Sequence, residues 1–203
     1  YHLKMSSPLS APEACSRLSV QLASGRLSMR TVVQSTWRVQ QEAKTWPVEQ
    51  RRTWPKALAA FQSRLHWHCH FMQKFESEPE LEHRNMARSC DGLRENDFAE
   101  AKFQAWCTGQ TGYPFIDACM RFLIAEGWIN FRMRAMLVSF AAYDLWLHWQ
   151  RPAHHLAQLF IDFEPGIHYP QVQMQSGTTG INTLRIYNPC LLYTSDAADD
   201  IPR

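Results

Sequence analysis

Along much of the chain, apolar residues recur at three- and four-residue steps, and nowhere is there a convincing two-residue alternation of the kind that marks a half-buried strand. The spacing predicts helices over residues 28–42, 55–75, 114–125 and 131–149, and with them an all-α, multi-helix domain joined by long irregular loops. Pro114 suits the first turn of its helix and Gly127 follows its end, the usual asymmetry of proline before and glycine after. In 131–149, Met136, Leu137, Phe140, Ala141, Leu145 and Trp149 fall on one stripe, so this helix is expected to run through the centre of the fold. Loops are expected over 6–12, over the charged stretch 76–92, and over 164–183, where Pro165-Gly166 and Gly177-Thr178-Thr179-Gly180 punctuate the chain. A structureless stretch as long as the last usually carries function.

With 203 residues, 45% of them hydrophobic and 20% charged, the chain has the composition of one globular domain. No apolar run is long enough to span a bilayer, and the first residues lack both a starting methionine and the apolar core of a signal peptide. The chain is therefore expected to begin inside a longer protein, with a cytoplasmic location as the default. Six cysteines without a C-x-x-C pair read as reduced, mostly buried thiols, rather than a zinc ribbon or a disulfide framework. A net charge of +2 does not decide the partner. Residues 190–203 read differently from the rest: the run from Cys190 to Asp200 resembles translated sequencing-adapter DNA, so a non-native tail is expected there, with a frayed natural terminus as the alternative.

Candidate chemistry concentrates between Trp106 and Arg134. A glycine-rich turn, a proline-started helix and a Gly127-Trp128 turn lead into a helix that opens with Arg132 and Arg134. Two cations at a helix start oppose its macrodipole, so an anion is expected beside them, either a ligand or surface carboxylates. Upstream, Ser16, Ser19 and Ser28 offer hydroxyls suited to phosphate or to helix capping. His66 and His70 share a helical face beside Cys69, a weak metal signal without a second ligand pair, and no metal is expected.

The pattern W-x-x-G-x-T-G-x-P-x-x-D-A-x-M-R from Trp106 to Arg121, then Gly127-Trp128 and Arg132-Met133-Arg134, resembles the FAD-binding domain of the photolyase and cryptochrome family. Cys15-Ser16-Arg17-Leu18-Ser19 and the Gly25 to Arg30 segment are similar to that family's phosphate-holding stretch, and Ser176-Gly177-Thr178 with Arg185 to Pro189 to its closing motifs. The resemblance covers roughly residues 6–189 and implies a FAD-binding helical domain over 1–189, with the antenna domain and the last FAD-contacting helices outside this chain. It implies FAD contacts from Ser16, Arg17, Leu18 and Ser19, and an Arg134 that sits over the flavin ring system paired with Asp162. Glu164 takes the place of a second family aspartate, and His168 stands in for an asparagine near flavin N5. For DNA carrying ultraviolet lesions it implies contacts from Arg64, Trp67, His68, Phe131 and Arg132, with Trp67 against the damaged bases.

Arg64 and Phe131 depart from the glutamate and asparagine common at those positions, which argues against simple pyrimidine-dimer repair. The resemblance also implies an electron relay of three tryptophans. Trp149 matches its middle member, whereas the outer positions, within 170–174 and near Asn96, hold no tryptophan. Two readings follow. The first is a blue-light flavoprotein that drives electron transfer to damaged pyrimidines, in the manner of a deoxyribodipyrimidine photolyase. The alternative is a cryptochrome-like photoreceptor that binds FAD without repair; a helical scaffold that has lost the cofactor is a third.

Overall fold

Ser28 opens the first long helix: its hydroxyl accepts from the Thr31 amide at 3.1 Å and so satisfies one of the donors that a helix start leaves free. The computed structural model describes residues 4–181 and 184–194, and among the described residues the regular structure is helical, with no strand. Two short helices, α1 (Ala11–Ala14) and α2 (Ser19–Ala23), precede α3 (Met29–Glu42). A one-turn α4 (Val48–Arg51) leads to the longest helix, α5 (Trp54–Ser77). After two 3-10 turns come α6 (Glu100–Cys107), α7 (Pro114–Glu126), α8 (Phe131–Ser139), α9 (Gln150–Leu159), α10 (Pro165–Ser176) and α11 (Pro189–Thr194). Three of the expected helices are found within two residues of their expected bounds, as α3, α5 and α7.

The conspicuous T-G-x-P-x-x-D motif is a corner brace. The Asp117 carboxylate accepts from the Thr111 amide at 2.8 Å, the Thr111 hydroxyl at 2.6 Å and the Gly112 amide at 3.0 Å, fastening the α6–α7 turn onto α7. Arg121 donates to the Gly109 carbonyl at 2.6 Å, and the left-handed Gly109 packs so tightly that a Cβ there would lie 2.9 Å from the Asp117 carbonyl oxygen. Around this corner Trp106, Ile116, Met120, Met133, Met136 and Leu137 form the centre of the core, with the Trp106 indole donating to the Leu137 carbonyl at 3.2 Å.

Three expectations are corrected. The helix expected over 131–149 stops being α-helical at Ser139, widens into a π turn over Phe140–Asp144 and is capped by Leu145, after which Trp146, with a φ of 59°, turns the chain. The amide of Leu147 bonds to the carbonyl of Ala141, six residues back, so the extra residue in the turn shifts the apolar stripe and Trp149 caps α9 instead. The loop expected over 164–183 is instead mostly the helix α10. Its Pro165 is at the first helical position, where no amide is needed. Gly166 permits contact with α5: a Cβ there would lie 2.7 Å from the Met72 sulfur. Pro170 lies inside the helix and is buried, at the cost of one helical hydrogen bond. The thiols are also less buried than expected, since only Cys107 and Cys119 are buried and Cys190 is exposed.

The buried face of α10 carries Gln173, which the hydrophobic pattern could not reveal. Its side-chain amide donates to the Leu81 and Arg84 carbonyls, both at 2.8 Å, and its oxygen accepts from the Met86 amide at 2.7 Å. One fully enclosed glutamine thus pins the connection between α5 and α6 onto α10. In α11, Leu192 reaches the core; residues 195–203, the bulk of the adapter-like tail, lie outside the described residues. No helix among the described residues is long and apolar enough to cross a membrane. Gln173→Leu takes the side-chain partner from three backbone groups, the Leu81 carbonyl among them buried, and is expected to lower unfolding free energy in urea by about 1–3 kcal/mol.

Candidate cofactor site

A cavity of about 170 Å³ lies between the N-terminal segment, α5 and the turn after α9. The N-terminal wall is Ser16, Leu18, Ser19, Leu22 and Ala23; the last three, at steps of three and four, share one face of α2. Phe61, Arg64, Leu65 and His68 supply the α5 wall, again at helical steps, and Asp162 and Ile167 close the far side. Ser19 is the first residue of α2, whose N-cap position is Leu18, so its hydroxyl is not in the capping position that Ser28 holds on α3.

At the far side, Arg134 in the first turn of α8 donates to Asp162 Oδ2 at 2.9 Å and, through Nε, to the Ile129 carbonyl at 2.7 Å. Its guanidinium carbon lies 4.1 Å from the centre of the Phe160 ring. The carboxylate side chain is 3% exposed, and its other oxygen, Oδ1, is buried without a hydrogen-bond partner. His68 Nδ1 is likewise buried and unpartnered. Burial lowers the His68 pKa and the charge of Glu164 partly restores it.

A flavin dinucleotide asks for donors around its diphosphate and an acceptor at the imide edge of its ring. Ser16, Ser19, Arg64 and His68 on two walls supply such donors, and Asp162 Oδ1 on the third is such an acceptor. The two unpartnered atoms belong to residues that line this one cavity, and an unmet buried polar atom is costly unless a ligand meets it.

The remaining candidate residues are placed elsewhere. Arg17 does not line the cavity; its guanidinium lies 4.7 Å above the Trp128 ring. Glu164 is the N-cap residue of α10 and reaches the cavity through its field on His68. His168 is not a cavity wall: its Nε2 pairs with the Ala153 carbonyl at 2.8 Å, and the rings of Phe160, Phe163 and Tyr169 surround it. Trp149 is 1% exposed and donates from its indole to Asn85 Oδ1 at 2.7 Å.

The residues assigned to the DNA side are divided. Arg64 and His68 line the cavity with the serines and Asp162, whereas Trp67, 47% exposed, lines a wider groove of about 590 Å³ on another face of α5 with Ser63, His66 and His70. Phe131 stands exposed at the start of α8, next to a half-buried Arg132. Sequence reasoning missed Phe61, Leu65, Leu22, Ala23 and Ile167. The first four could have been found by extending the Arg64–His68 and Ser19 positions along their helical faces, whereas Ile167 lay in the stretch taken for a loop.

A family profile described as the FAD binding domain of DNA photolyase matches residues 61–199. The deoxyribodipyrimidine photo-lyase of Vibrio cholerae is 31% identical over 196 residues, covering 93% of this chain and 38% of that protein. That of Alkalihalophilus pseudofirmus is 29% identical over 178 residues, covering 86% of this chain and 34% of the relative. The crystal structure of a bacterial class III photolyase from Agrobacterium tumefaciens superposes with a TM-score of 0.81 at 25% identity, over 95% of this chain and 38% of that one. The chain thus spans less than two-fifths of the length of these relatives.

Burial lowers the His168 pKa from 6.5 to about 4; the Ala153 carbonyl and Asp162 raise it somewhat, and Arg134 and His154 lower it further. The unfolded chain then binds a proton at this site at a higher pH than the folded one. Stability is expected to fall as pH drops from about 6.5 towards 4, with His168→Gln flattening that slope in urea unfolding followed across this range.

Proposed function

Because the chain belongs to the DNA photolyase and cryptochrome family and forms part of its FAD-binding domain, we propose that it contributes to an FAD site of which the cavity between Ser16, His68 and Asp162 is one part, in a blue-light flavoprotein that passes an electron to damaged pyrimidines in DNA. The observation that carries the reading is Asp162: one carboxylate oxygen is held by Arg134, and the other is buried and unpartnered in a residue lining the cavity. Bound FAD supplies the light-absorbing electron donor. The chain's own part is to hold it. Ser16 and Ser19 face the diphosphate, Arg64 and His68 add donors from α5, and Asp162 accepts from the ring edge, its direction fixed by Arg134. Trp149, enclosed and hydrogen-bonded to Asn85, is the candidate for electron transfer within the protein.

Damaged DNA is the substrate this reading favours. Residues 1–64 carry ten Lys and Arg against three Asp and Glu, and none of those basic residues is in an ion pair among the described residues. Unpaired basic side chains are what phosphate contacts require. Trp67 offers an exposed ring to an unstacked base, with Phe131 and Arg132 at the start of α8 as further contacts. Phe131 is also the observation that favours the second reading, a cryptochrome-like photoreceptor without repair: an exposed apolar ring replaces the polar side chain common there and removes a hydrogen bond to a lesion.

Expression of the protein with FAD is expected to give a yellow, flavin-containing species that reverses ultraviolet lesions in DNA only under blue light. A flavin-loaded protein without reversal selects the photoreceptor reading, and a protein that takes up no FAD at any concentration rejects both. Asp162→Asn keeps the shape but turns an acceptor-only group into one that also donates, and is expected to weaken FAD binding about tenfold or more in an absorbance titration.

A further inference from the structure

Arg17 stands in the phosphate-holding stretch, yet its side chain leaves the cavity and lies over Trp128, 4.7 Å from the ring centre. Its backbone has a φ of 52°, a region that residues other than glycine rarely occupy unless their surroundings hold them there. Its neighbours on both sides, Ser16 and Leu18, line the cavity. The turn that carries Trp128 makes a second hold on the same N-terminal segment. The Asn130 side-chain amide donates to the Met5 carbonyl at 3.2 Å and the Ser6 carbonyl at 2.9 Å. Four residues after Asn130, Arg134 donates to the Ile129 carbonyl and to Asp162.

We infer that Arg17 is a positioning residue for the cofactor wall rather than a ligand of the cofactor. By stacking its guanidinium on the Trp128 indole, it clamps the left-handed turn that presents Ser16, Leu18 and Ser19 to the cavity, and so ties the diphosphate wall to the α7–α8 turn that steers Arg134 and Asp162. The inference rests on the FAD reading above. A direct ligand and a clamp differ in one respect: the clamp has no effect without its aromatic partner.

The test is a double-mutant cycle on Arg17→Gln and Trp128→Leu, with Arg17→Lys as the conservative variant, read by FAD titration and separately by urea unfolding of the FAD-free protein. Should the leucine variant fail to fold, Trp128→Phe replaces it with a smaller ring of weaker attraction. Each single variant is expected to weaken FAD binding about two- to fivefold, the size of a partly exposed cation–π contact, and Arg17→Lys to lose less. The double variant is expected to be no weaker than either single one, and the same coupling is expected in unfolding. Additive losses, an Arg17→Gln effect that survives loss of the Trp128 ring, or no coupling in unfolding would each overturn the inference while FAD binding by the unaltered protein leaves the cofactor reading in place. A wild-type protein that binds no FAD removes both.

Discussion

The Arg134–Asp162 pair is the constraint on which the rest of the site depends. A guanidinium in the first turn of a helix works against the helix dipole, and a carboxylate with 3% of its side chain exposed has lost most of its hydration. Each supplies what the other lacks. The pair fixes three segments at once, because Arg134 also bonds the Ile129 carbonyl and covers the Phe160 ring, while Asp162 sits between α9 and α10. The α7–α8 turn, the end of α9 and the start of α10 therefore meet at one point. A bidentate pairing would have used both Asp162 oxygens; only Oδ2 receives the arginine, which leaves Oδ1 in need of a donor.

Around that point, buried polar side chains that bind backbone set the register of the apolar core. Asp117 fastens the α6–α7 corner, Gln173 the connection between α5 and α6, and Asn130 the N-terminal segment. An amide that bonds two carbonyls and a peptide N–H adds a directional constraint to the close packing of the apolar faces, because it has partners in one register alone. Such pins suit a domain whose cavity walls come from segments far apart in the chain, since each wall must stop at a defined place.

Much of this was legible in the sequence and some was not, for identifiable reasons. Helices α3, α5 and α7 followed from apolar spacing and from capping residues such as Ser28 and Pro114. Helix α10 was hidden because its buried face carries Gln173, Gln175 and Ser176, and because Pro165, Gly166 and Pro170 look like breakers when the contacts of α5 are unknown. The π turn at Phe140–Asp144 was hidden because a one-residue shift of phase still leaves apolar residues at plausible steps. At the site, the pairing of Arg134 with Asp162 was anticipated and found. The motif from Thr111 to Asp117, the feature most visible in the sequence, turned out to brace a corner rather than to touch the cavity.

Helix α5 shows how one element serves two sides of the proposed chemistry. Arg64 and His68 are four residues apart and face the cavity; Ser63, Trp67 and His70 are rotated around the axis and line the open groove. Neighbouring positions 67 and 68 differ by about 100° in direction, so a single helix can present a stacking ring outward and a titratable donor inward with no loop between them. Arg64 therefore sets the charge of the smaller cavity rather than of the open groove. It places a cation among the residues that line the same cavity as Asp162, while Trp67 lines the groove on the other face.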